Sequence, residues 1–215
     1  MPEFTVVGSA EDVAATAARE IADALIGGAR SLVLAGGTTP RRCYELLATT
    51  SGIPWGRVSV LFGDERCVDP FDPESNYAMA KEALLDKVAP ANVYRMPAEL
   101  GPQEGATAYA HVVALASPLD VVVLGVGEDG HTASLFPGHR ALESTDLTIG
   151  IRDSPKPPPD RVTLTLVALR AARRVIILAT GAGKAHAVAL ARRGEVPSGM
   201  IANARWLIDR DAARA

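Results

Sequence analysis

The sequence predicts an α/β protein: a single-domain, three-layer α/β/α fold with a mainly parallel, Rossmann-like sheet. The first observation is that short apolar runs alternate with helical segments along all 215 residues, a pattern typical of parallel sheets with helices on both faces. The second is that several of these runs end in glycine-rich turns followed by a helix. Because no repeat or long linker divides the chain, residues 1–215 are expected to form one domain.

The first half of the chain begins with a strand and a long helix whose ends carry clear signals. Ser9 is placed as an N-cap, with Asp12 closing a capping box. Gly27 and Gly28 end this helix. The strands predicted in this half are 4–7, 31–34, 58–62 and 93–96, and the helices are 11–26, one beginning at 40, 75–88 and 104–116.

The second half contains the run that predicts the centre of the sheet. Residues 119–124 are mostly apolar and β-branched, which is typical of a strand buried on both faces. Residues 154–159 are expected to be an extended loop, because three consecutive prolines exclude a helix. Further strands are predicted at 161–166, 174–179 and 205–208, with a helix running from the 181–184 turn to 193.

Composition and charge exclude several classes of protein. The net charge of −3 gives no support for nucleic acid as a partner, and no apolar run approaches the roughly 18 residues of a membrane span. The N-terminus lacks a basic region followed by an apolar stretch, so no signal peptide is expected. Cys43 and Cys67 suit unpaired thiols in a reducing compartment. We therefore expect a cytoplasmic protein with no membrane partner, either a monomer or a weak homo-oligomer.

Four loops follow predicted strands and carry the polar residues of interest, at 36–39, 63–66, 125–131 and 181–184. In open sheets of this type, ligands bind beyond the carboxyl ends of the strands. The topology therefore predicts that these four loops meet at one rim.

Two of the loops are candidates for binding phosphate. The 36–39 loop is explained adequately as a strand-to-helix turn, with Thr39 as N-cap and Pro40 at the first helical position. The same geometry presents backbone N–H groups and two hydroxyls to an anion. Lys184 begins the second helix, where a cation is mildly unfavourable against the helix dipole, and this slightly favours a functional role.

The 125–131 loop is the strongest candidate for catalysis. His131 lies two residues from Asp129 in a glycine turn, and a carboxylate beside an imidazole can fix its tautomer and orient it as a base. His111, His139 and His186 have no such arrangement. The triplet 64–66 is explained equally well as a salt-bridged turn or as part of the site.

Two nucleotide-binding motifs fail on inspection. The 181–184 turn is not a nucleotide P-loop, because Leu178 occupies the first glycine position and Ala185 replaces the magnesium-binding hydroxyl. The glycines of 125–130 match the dinucleotide fingerprint formally, but Pro137 leaves too little room for the long helix that should follow. No histidine or cysteine pattern predicts a metal site.

Taken together, these motifs carry a family resemblance that covers nearly the whole chain. The segments LAGGTTP at 34–40, GDER at 63–66, SNY at 75–77, LGVGEDGHTASLFP at 124–137, PPPDRVTLT at 157–165 and GKA at 183–185 occur in this order. They resemble the glucosamine-6-phosphate isomerase/6-phosphogluconolactonase family, and within it the 6-phosphogluconolactonases. The resemblance implies a glucosamine-6-phosphate isomerase-like fold. It also implies hydrolysis of 6-phospho-D-glucono-1,5-lactone in the pentose phosphate pathway without a metal or organic cofactor. Ala35 stands where this family more often has serine, which removes one hydroxyl near the phosphate.

The residues and the resemblance together give each candidate a role. His131, oriented by Asp129, is expected to activate water, while Arg66 stabilises the oxyanion or the sugar hydroxyls and Asp64 holds Arg66 or a hydroxyl. The substrate phosphate is expected to bind Gly36, Gly37, Thr38, Thr39, Arg161 and Lys184.

Two other functions were considered. A sugar-phosphate isomerase/deaminase would share the phosphate site, but that chemistry needs a further acid after the histidine, and residues 132–137 contain none. A non-catalytic sugar-phosphate sensor would normally carry a DNA-binding segment, and neither a spare helix-turn-helix nor a basic patch is present. Both alternatives rank below lactone hydrolysis.

Overall fold

The computed structural model describes residues 2–214, which build a seven-stranded parallel sheet with helices on both sides. The strands are β1 Glu3–Val7, β2 Ser31–Leu34, β3 Ser59–Phe62, β4 Asp64–Arg66, β5 Asn92–Val93, β6 Val121–Gly125, β7 Thr148–Ile151, β8 Arg161–Leu164, β9 Arg174–Ala179 and β10 Ala204–Asp209. The helices are α1 Ala10–Ile26, α2 Thr38–Ala48, α3 Asn76–Ala80, α4 Pro102–Ala116, α5 Leu166–Ala171 and α6 Ala185–Arg192. The predicted α/β fold with a mainly parallel sheet is confirmed.

The order of strands in the large sheet explains where the site forms. The order is β1-β10-β9-β6-β2-β3-β5, and every pairing is parallel. Strand β6 lies at the centre and its apolar side chains are almost completely buried, as the sequence predicts. Its neighbours are β2 and β9, so the loops that follow these three strands emerge side by side at one edge.

A second, three-stranded antiparallel sheet in the order β4-β8-β7 was not predicted. The segment Asp64–Arg66 was expected to be a loop, yet it pairs with β8 in a register that places Arg66 opposite Arg161. Strand β7 lies in a segment that was also expected to be a loop. Both strands are short, so local periodicity carries little signal for them. The partner of β4 is remote in sequence, and β7 pairs with β8 across the proline-rich loop.

Helix boundaries differ from the predictions where tertiary contacts replace local capping. Helix α2 begins at Thr38 instead of Pro40, with Gly37 as its N-cap at φ 109°. The hydroxyl of Thr39 contacts Thr180 and does not cap the helix. The Ser9 N-cap is confirmed, because its side chain accepts the Asp12 N–H and donates to the Asp12 carboxylate.

Three further elements were predicted incompletely. The single helix expected at 75–88 is α3 followed by one π-helical turn, Lys81–Leu85. The strand expected at 93–96 is β5, one residue earlier and two residues long, and α5 occupies a segment given no helix by the sequence. In the part of the chain described, no helix is long and apolar enough to cross a membrane.

Candidate active site

A cavity of about 360 Å³ lies at the carboxyl ends of β2, β6 and β9. All four predicted loops reach it. The predicted site residues that line it are Gly36, Gly37, Thr38, Thr39, Asp64, Arg66, His131, Arg161 and Lys184. The carboxylate of Asp129 contacts Nδ1 of His131. The structure therefore brings together every residue that was predicted to form the site.

The first wall of the cavity is the 36–39 loop and the start of α2. Tyr44 holds this loop from below, since its buried hydroxyl accepts the Ala35 N–H at 2.7 Å and donates to the Ala35 carbonyl at 3.1 Å. Gly37 needs its positive φ of 109°, which disfavours any side chain there. The N–H groups at the start of the helix have no acceptor within the helix, so they are available to an anionic ligand in the cavity.

The second wall is the 181–184 turn, which precedes α6. The Gly181 N–H donates to both oxygens of the buried Asp209 carboxylate, at 3.1 and 2.9 Å. A hydroxyl–hydroxyl contact of 2.7 Å between Thr39 and Thr180 joins the two walls. Lys184 lines the cavity from this turn, close to the start of α2. Tyr44, Asp209 and Thr180, which are not among the predicted site residues, therefore hold the two loops in place.

His131 and Asp129 form a close pair in the loop after β6. Nδ1 of His131 lies 2.5 Å from Asp129 Oδ1, and the Asp129 carboxylate also accepts the His131 backbone N–H at 3.2 Å. With Nδ1 bound to a carboxylate, the neutral imidazole carries its proton there and leaves Nε2 as the acceptor. The ring also packs on Phe136, with 4.6 Å between centroids.

Gly127 makes this pair possible. A Cβ atom at position 127 would lie 2.0 Å from His131 Nδ1 and 2.5 Å from Asp129 Oδ1. The Gly127 N–H donates to the His131 carbonyl at 2.8 Å, which closes the turn. The glycine is therefore required by the close approach of the imidazole.

The environment of the pair keeps the imidazole available as a base. Burial lowers the pKa of His131 below its usual 6.5, although the Asp129 carboxylate opposes this shift. Burial acts to raise the pKa of Asp129, but the hydrogen bond and charge of His131 outweigh it and the net pKa is lowered. Near neutral pH the pair is therefore a carboxylate and an uncharged imidazole.

Asp64 and Arg66 stand at the ends of strand β4. Asp64 is only 6% exposed; its carboxylate accepts the Ser134 hydroxyl at 2.6 Å and an Asn76 side-chain N–H at 3.2 Å. Arg66 donates through Nη1 to the Glu74 carbonyl, and its buried Nε has no hydrogen-bond partner among residues 2–214. Asp64 is thus fixed in place. Arg66 lines the cavity, and Nη2, which makes no hydrogen bond to residues 2–214, is the nitrogen with donors to offer there.

Glu65, between them, has a structural role that the sequence did not reveal. Its buried carboxylate accepts four hydrogen bonds: from the Ser75 hydroxyl and from the backbone N–H groups of Arg66, Asn76 and Tyr77. Burial raises the pKa of Glu65, and these hydrogen bonds oppose that shift. The carboxylate thereby pins the start of α3, which presents the Asn76 side chain to Asp64 and against Gly36.

The segment 154–159, which we call the strap, contributes a cation that sequence reasoning missed. Lys156 lies in this proline-rich segment and lines the cavity. Its charge lowers the pKa of both His131 and Asp129. The strap is predicted from its prolines only as an extended loop, although a lysine among prolines just before a polar strand is a signal for a functional residue.

The electrostatics of the lining favour an anionic ligand. Four cationic side chains face the cavity, namely Arg66, Lys156, Arg161 and Lys184, and the one acidic side chain in its lining is Asp64. Within the described residues, no group of three or more His, Cys, Asp or Glu side chains could hold a metal ion. Chemically, the site can bind a phosphate and remove a proton from water through Nε2 of His131.

Comparison with known sequences agrees with this geometry. A sequence model of the family described as "Glucosamine-6-phosphate isomerases/6-phosphogluconolactonase" matches residues 7–208. The chain belongs to this family. Among its curated relatives in the glucosamine-6-phosphate isomerase/6-phosphogluconolactonase family, a 6-phosphogluconolactonase from Streptomyces coelicolor is 43% identical over 235 aligned positions, covering 95% of this chain and 89% of the relative. A 6-phosphogluconolactonase from Mycobacterium tuberculosis is 42% identical, covering 87% and 85%.

Solved structures of the family share the fold. The 6-phosphogluconolactonase of Trypanosoma brucei has a TM-score of 0.88 at 28% identity, covering 99% of this chain and 98% of that one. A monomeric glucosamine-6-phosphate deaminase has a TM-score of 0.83 at 20% identity, covering 98% of each chain, and this likeness concerns the fold alone. The expected glucosamine-6-phosphate isomerase-like fold is thereby confirmed.

Proposed function

We propose that this chain hydrolyses 6-phospho-D-glucono-1,5-lactone to 6-phospho-D-gluconate in the pentose phosphate pathway, with water activated by His131. One observation carries the mechanism: Nδ1 of His131 is bound to Asp129, which leaves Nε2 as a base in a cationic cavity. The names of the relatives, at up to 43% identity, support the same substrate. Fold likeness alone would not separate this reaction from others in the family.

The phosphate is placed at the start of α2. The N–H groups of residues 36–39 offer donors to its oxygens, and Lys184 supplies a positive charge from the second wall. Thr38 and Thr39 add hydroxyls on the same wall. This anchoring leaves the lactone carbonyl to lie toward His131, at the other end of the cavity.

The chemical step needs one base, His131, and breaks one bond, that between the carbonyl carbon and the ring oxygen. Nε2 of His131 takes a proton from water as the water oxygen attacks the lactone carbonyl carbon. The tetrahedral intermediate collapses with cleavage of the bond to the ring oxygen, which receives the proton back from the imidazolium. The products are a carboxylic acid and a hydroxyl group, so no cofactor is consumed.

Arg66 and Asp64 complete this proposal. The Nη2 group of Arg66, which lines the cavity, suits the oxyanion or the sugar hydroxyls. Asp64 accepts hydrogen bonds from Ser134 and Asn76, which fixes its carboxylate to receive a substrate hydroxyl. We propose that the enzyme works in the cytoplasm as a monomer or weak homo-oligomer, without nucleic acid.

The test is a coupled assay with freshly prepared lactone, offered with and without its 6-phosphate. If the two helix starts anchor the phosphate, the unphosphorylated lactone should lose at least roughly 2–3 kcal/mol of transition-state stabilisation. Equal kcat/KM for both lactones would refute the phosphate assignment. Glucosamine 6-phosphate is offered in parallel, and ammonia release at a comparable rate would favour the deaminase alternative.

A further inference from the structure

Arg161 was expected to bind phosphate, but its guanidinium is engaged elsewhere. The side chain is 4% exposed. Its Nε donates to the Pro158 carbonyl at 3.0 Å, and Nη2 donates to the carbonyls of Lys156 and Pro157 at 3.1 and 2.9 Å. Three consecutive carbonyls of the strap therefore share one planar cation, an arrangement that the fork geometry of arginine suits.

The strap needs such a partner because of its composition. Prolines at 155, 157, 158 and 159 have no N–H group, so this segment cannot form a backbone ladder of its own. Within the strap, Ser154 closes the loop by donating its N–H to the Pro159 carbonyl at 2.9 Å and its hydroxyl to the Lys156 carbonyl at 2.9 Å. The Ser154 hydroxyl also accepts the Lys156 N–H at 3.2 Å. The side chain of Arg161 adds the hydrogen bonds to the carbonyls of Lys156, Pro157 and Pro158.

Arg161 is itself fixed against the catalytic loop. Its Cζ lies 5.7 Å from the centre of the Phe136 ring, and that ring packs on His131. Its Nη1 lies 3.5 Å from the hydroxyl of Ser134, the residue that bonds to Asp64. The guanidinium thus connects the strap with the loop that carries the base.

We propose that Arg161 is a positioning residue, which holds the strap so that the ammonium group of Lys156 binds the anionic substrate, and that Arg161 does not itself contact the phosphate. The inference rests on the proposed lactonase function. It changes the assignment of charge in the site: Lys184 supplies the cation at the phosphate, Lys156 supplies a second cation near His131, and Arg161 acts through Lys156. A lysine at 161 has one nitrogen and cannot serve three carbonyls in this geometry.

A double-mutant cycle on Lys156 and Arg161 tests the proposal with steady-state kinetics. K156A removes the cation, and R161K releases the strap while keeping a positive charge. Each should raise KM for the phosphorylated lactone by about tenfold, because one charge-assisted contact is lost, and should leave kcat within about threefold. The double variant should match K156A alone. If the increase in KM of the double variant is instead the product of the two single increases, Arg161 contacts the substrate directly and the proposal is overturned.

The pH profile gives a readout that a general loss of stability would not move. Lys156 lowers the pKa of His131, so moving this charge away should raise that pKa. The acid limb of kcat/KM should shift to higher pH in K156A and by a similar amount in R161K. A normal limb in R161K, with a shifted limb in K156A, would contradict the claim that Arg161 places Lys156.

The control is R192K, which replaces another guanidinium that lies over an aromatic ring, 5.0 Å from the centre of Phe4, on an exposed side chain outside the cavity lining. Its kinetics should equal those of the wild type. If R161K fails to fold by near-ultraviolet circular dichroism, R161Q replaces it in the cycle, since its amide N–H can reach the position of Nε but not that of Nη2 and so releases the carbonyls of Lys156 and Pro157.

Hydrogen exchange in the absence of substrate separates this inference from the proposed function. The amides of Ser154 and Lys156 should exchange faster in R161K than in the wild type, and at the wild-type rate in K156A. Unchanged exchange in folded R161K would overturn the positioning role whatever the activity. A wild type that fails to hydrolyse the lactone, together with faster exchange in R161K, would overturn the proposed function and leave the hold of Arg161 on the strap supported.

Discussion

The two ends of the cavity are formed by different chemical groups, backbone at one end and side chains at the other. At one end, which we call the backbone end, the 36–39 loop and the 181–184 turn offer backbone groups on rigid walls. At the other, the side-chain end, His131, Asp129 and Asp64 depend on buried hydrogen bonds to neighbouring side chains. Backbone donors are supplied by any residue that keeps the conformation, whereas a buried side-chain network fails when one member is removed. The two ends should therefore differ in their tolerance of substitution.

The largest effect is expected at the side-chain end, from His131→Asn. The substitution keeps a polar side chain but removes the base, and general-base contributions are typically about 10²–10⁴-fold. We expect kcat to fall by that order with little change in affinity for 6-phosphogluconate, because the backbone end is untouched. The measurement is initial rate corrected for spontaneous opening of the lactone, with product affinity from calorimetry.

The pH profile checks the same assignment. The proposed base, His131, can accept a proton only when its imidazole is uncharged, and burial lowers its pKa below the usual 6.5. Wild-type kcat/KM should therefore stay high at neutral pH and decline as pH falls through this lowered pKa. That limb should be absent in His131→Asn. A folded variant with near-normal turnover would mean that Arg66 or another group carries the reaction.

A smaller but still large effect is expected from Gly127→Ala. The added Cβ would lie 2.0 Å from His131 Nδ1, so the imidazole must move by an ångström or more. Such a displacement costs on the order of 10²-fold in kcat. Gly56→Ala is the matched control, since a Cβ there meets no atom within 4 Å. If Gly127→Ala keeps wild-type kcat, the observed His131–Asp129 geometry is not the catalytic one.

Asp129→Asn should reduce kcat less than His131→Asn or Gly127→Ala. The imidazole remains, but the carboxylate that orients it is lost. We expect a loss of roughly tenfold in kcat, smaller than the general-base contribution itself. The Asp129 carboxylate acts to raise the pKa of His131, so its removal should move the acid limb of kcat/KM to lower pH. A limb that moves to higher pH would contradict the direct contact between the two side chains.

The smallest effect is expected at the backbone end, from Thr39→Ala. This change removes the 2.7 Å contact with the Thr180 hydroxyl but leaves the N–H groups of the helix start. One neutral hydrogen bond contributes about 0.5–1.5 kcal/mol, so KM should rise by about two- to tenfold. Thr180→Ala should behave alike, and the double variant should add little. A hundredfold rise in KM would show that the Thr39 hydroxyl, and not the backbone, holds the phosphate.

The backbone end could be predicted from the sequence to a greater extent than the side-chain end. The glycine turns after β2, β6 and β9 are visible as local patterns, and the pairing of His131 with Asp129 follows from a spacing of two residues. These features depend on neighbours within one turn of chain, so a linear reading finds them. Their meeting at one edge also follows, because adjacent parallel strands end on the same side.

The side-chain end was decided by contacts between remote segments. Asp64 meets Ser134 across 70 positions of sequence, and the β4–β8 pairing that presents it has no local periodicity. The role of Arg161 depends on where the strap folds, and a lone arginine before a strand gives no indication that three carbonyls surround it. The sequence by itself determined the parallel α/β fold, the glycine loops and the His131–Asp129 pair, because each depends on residues close together along the chain. Only the tertiary structure decided the second sheet, the anchoring of α3 by Glu65 and the place of Lys156, because buried polar groups take whichever partners the completed fold brings within hydrogen-bonding distance.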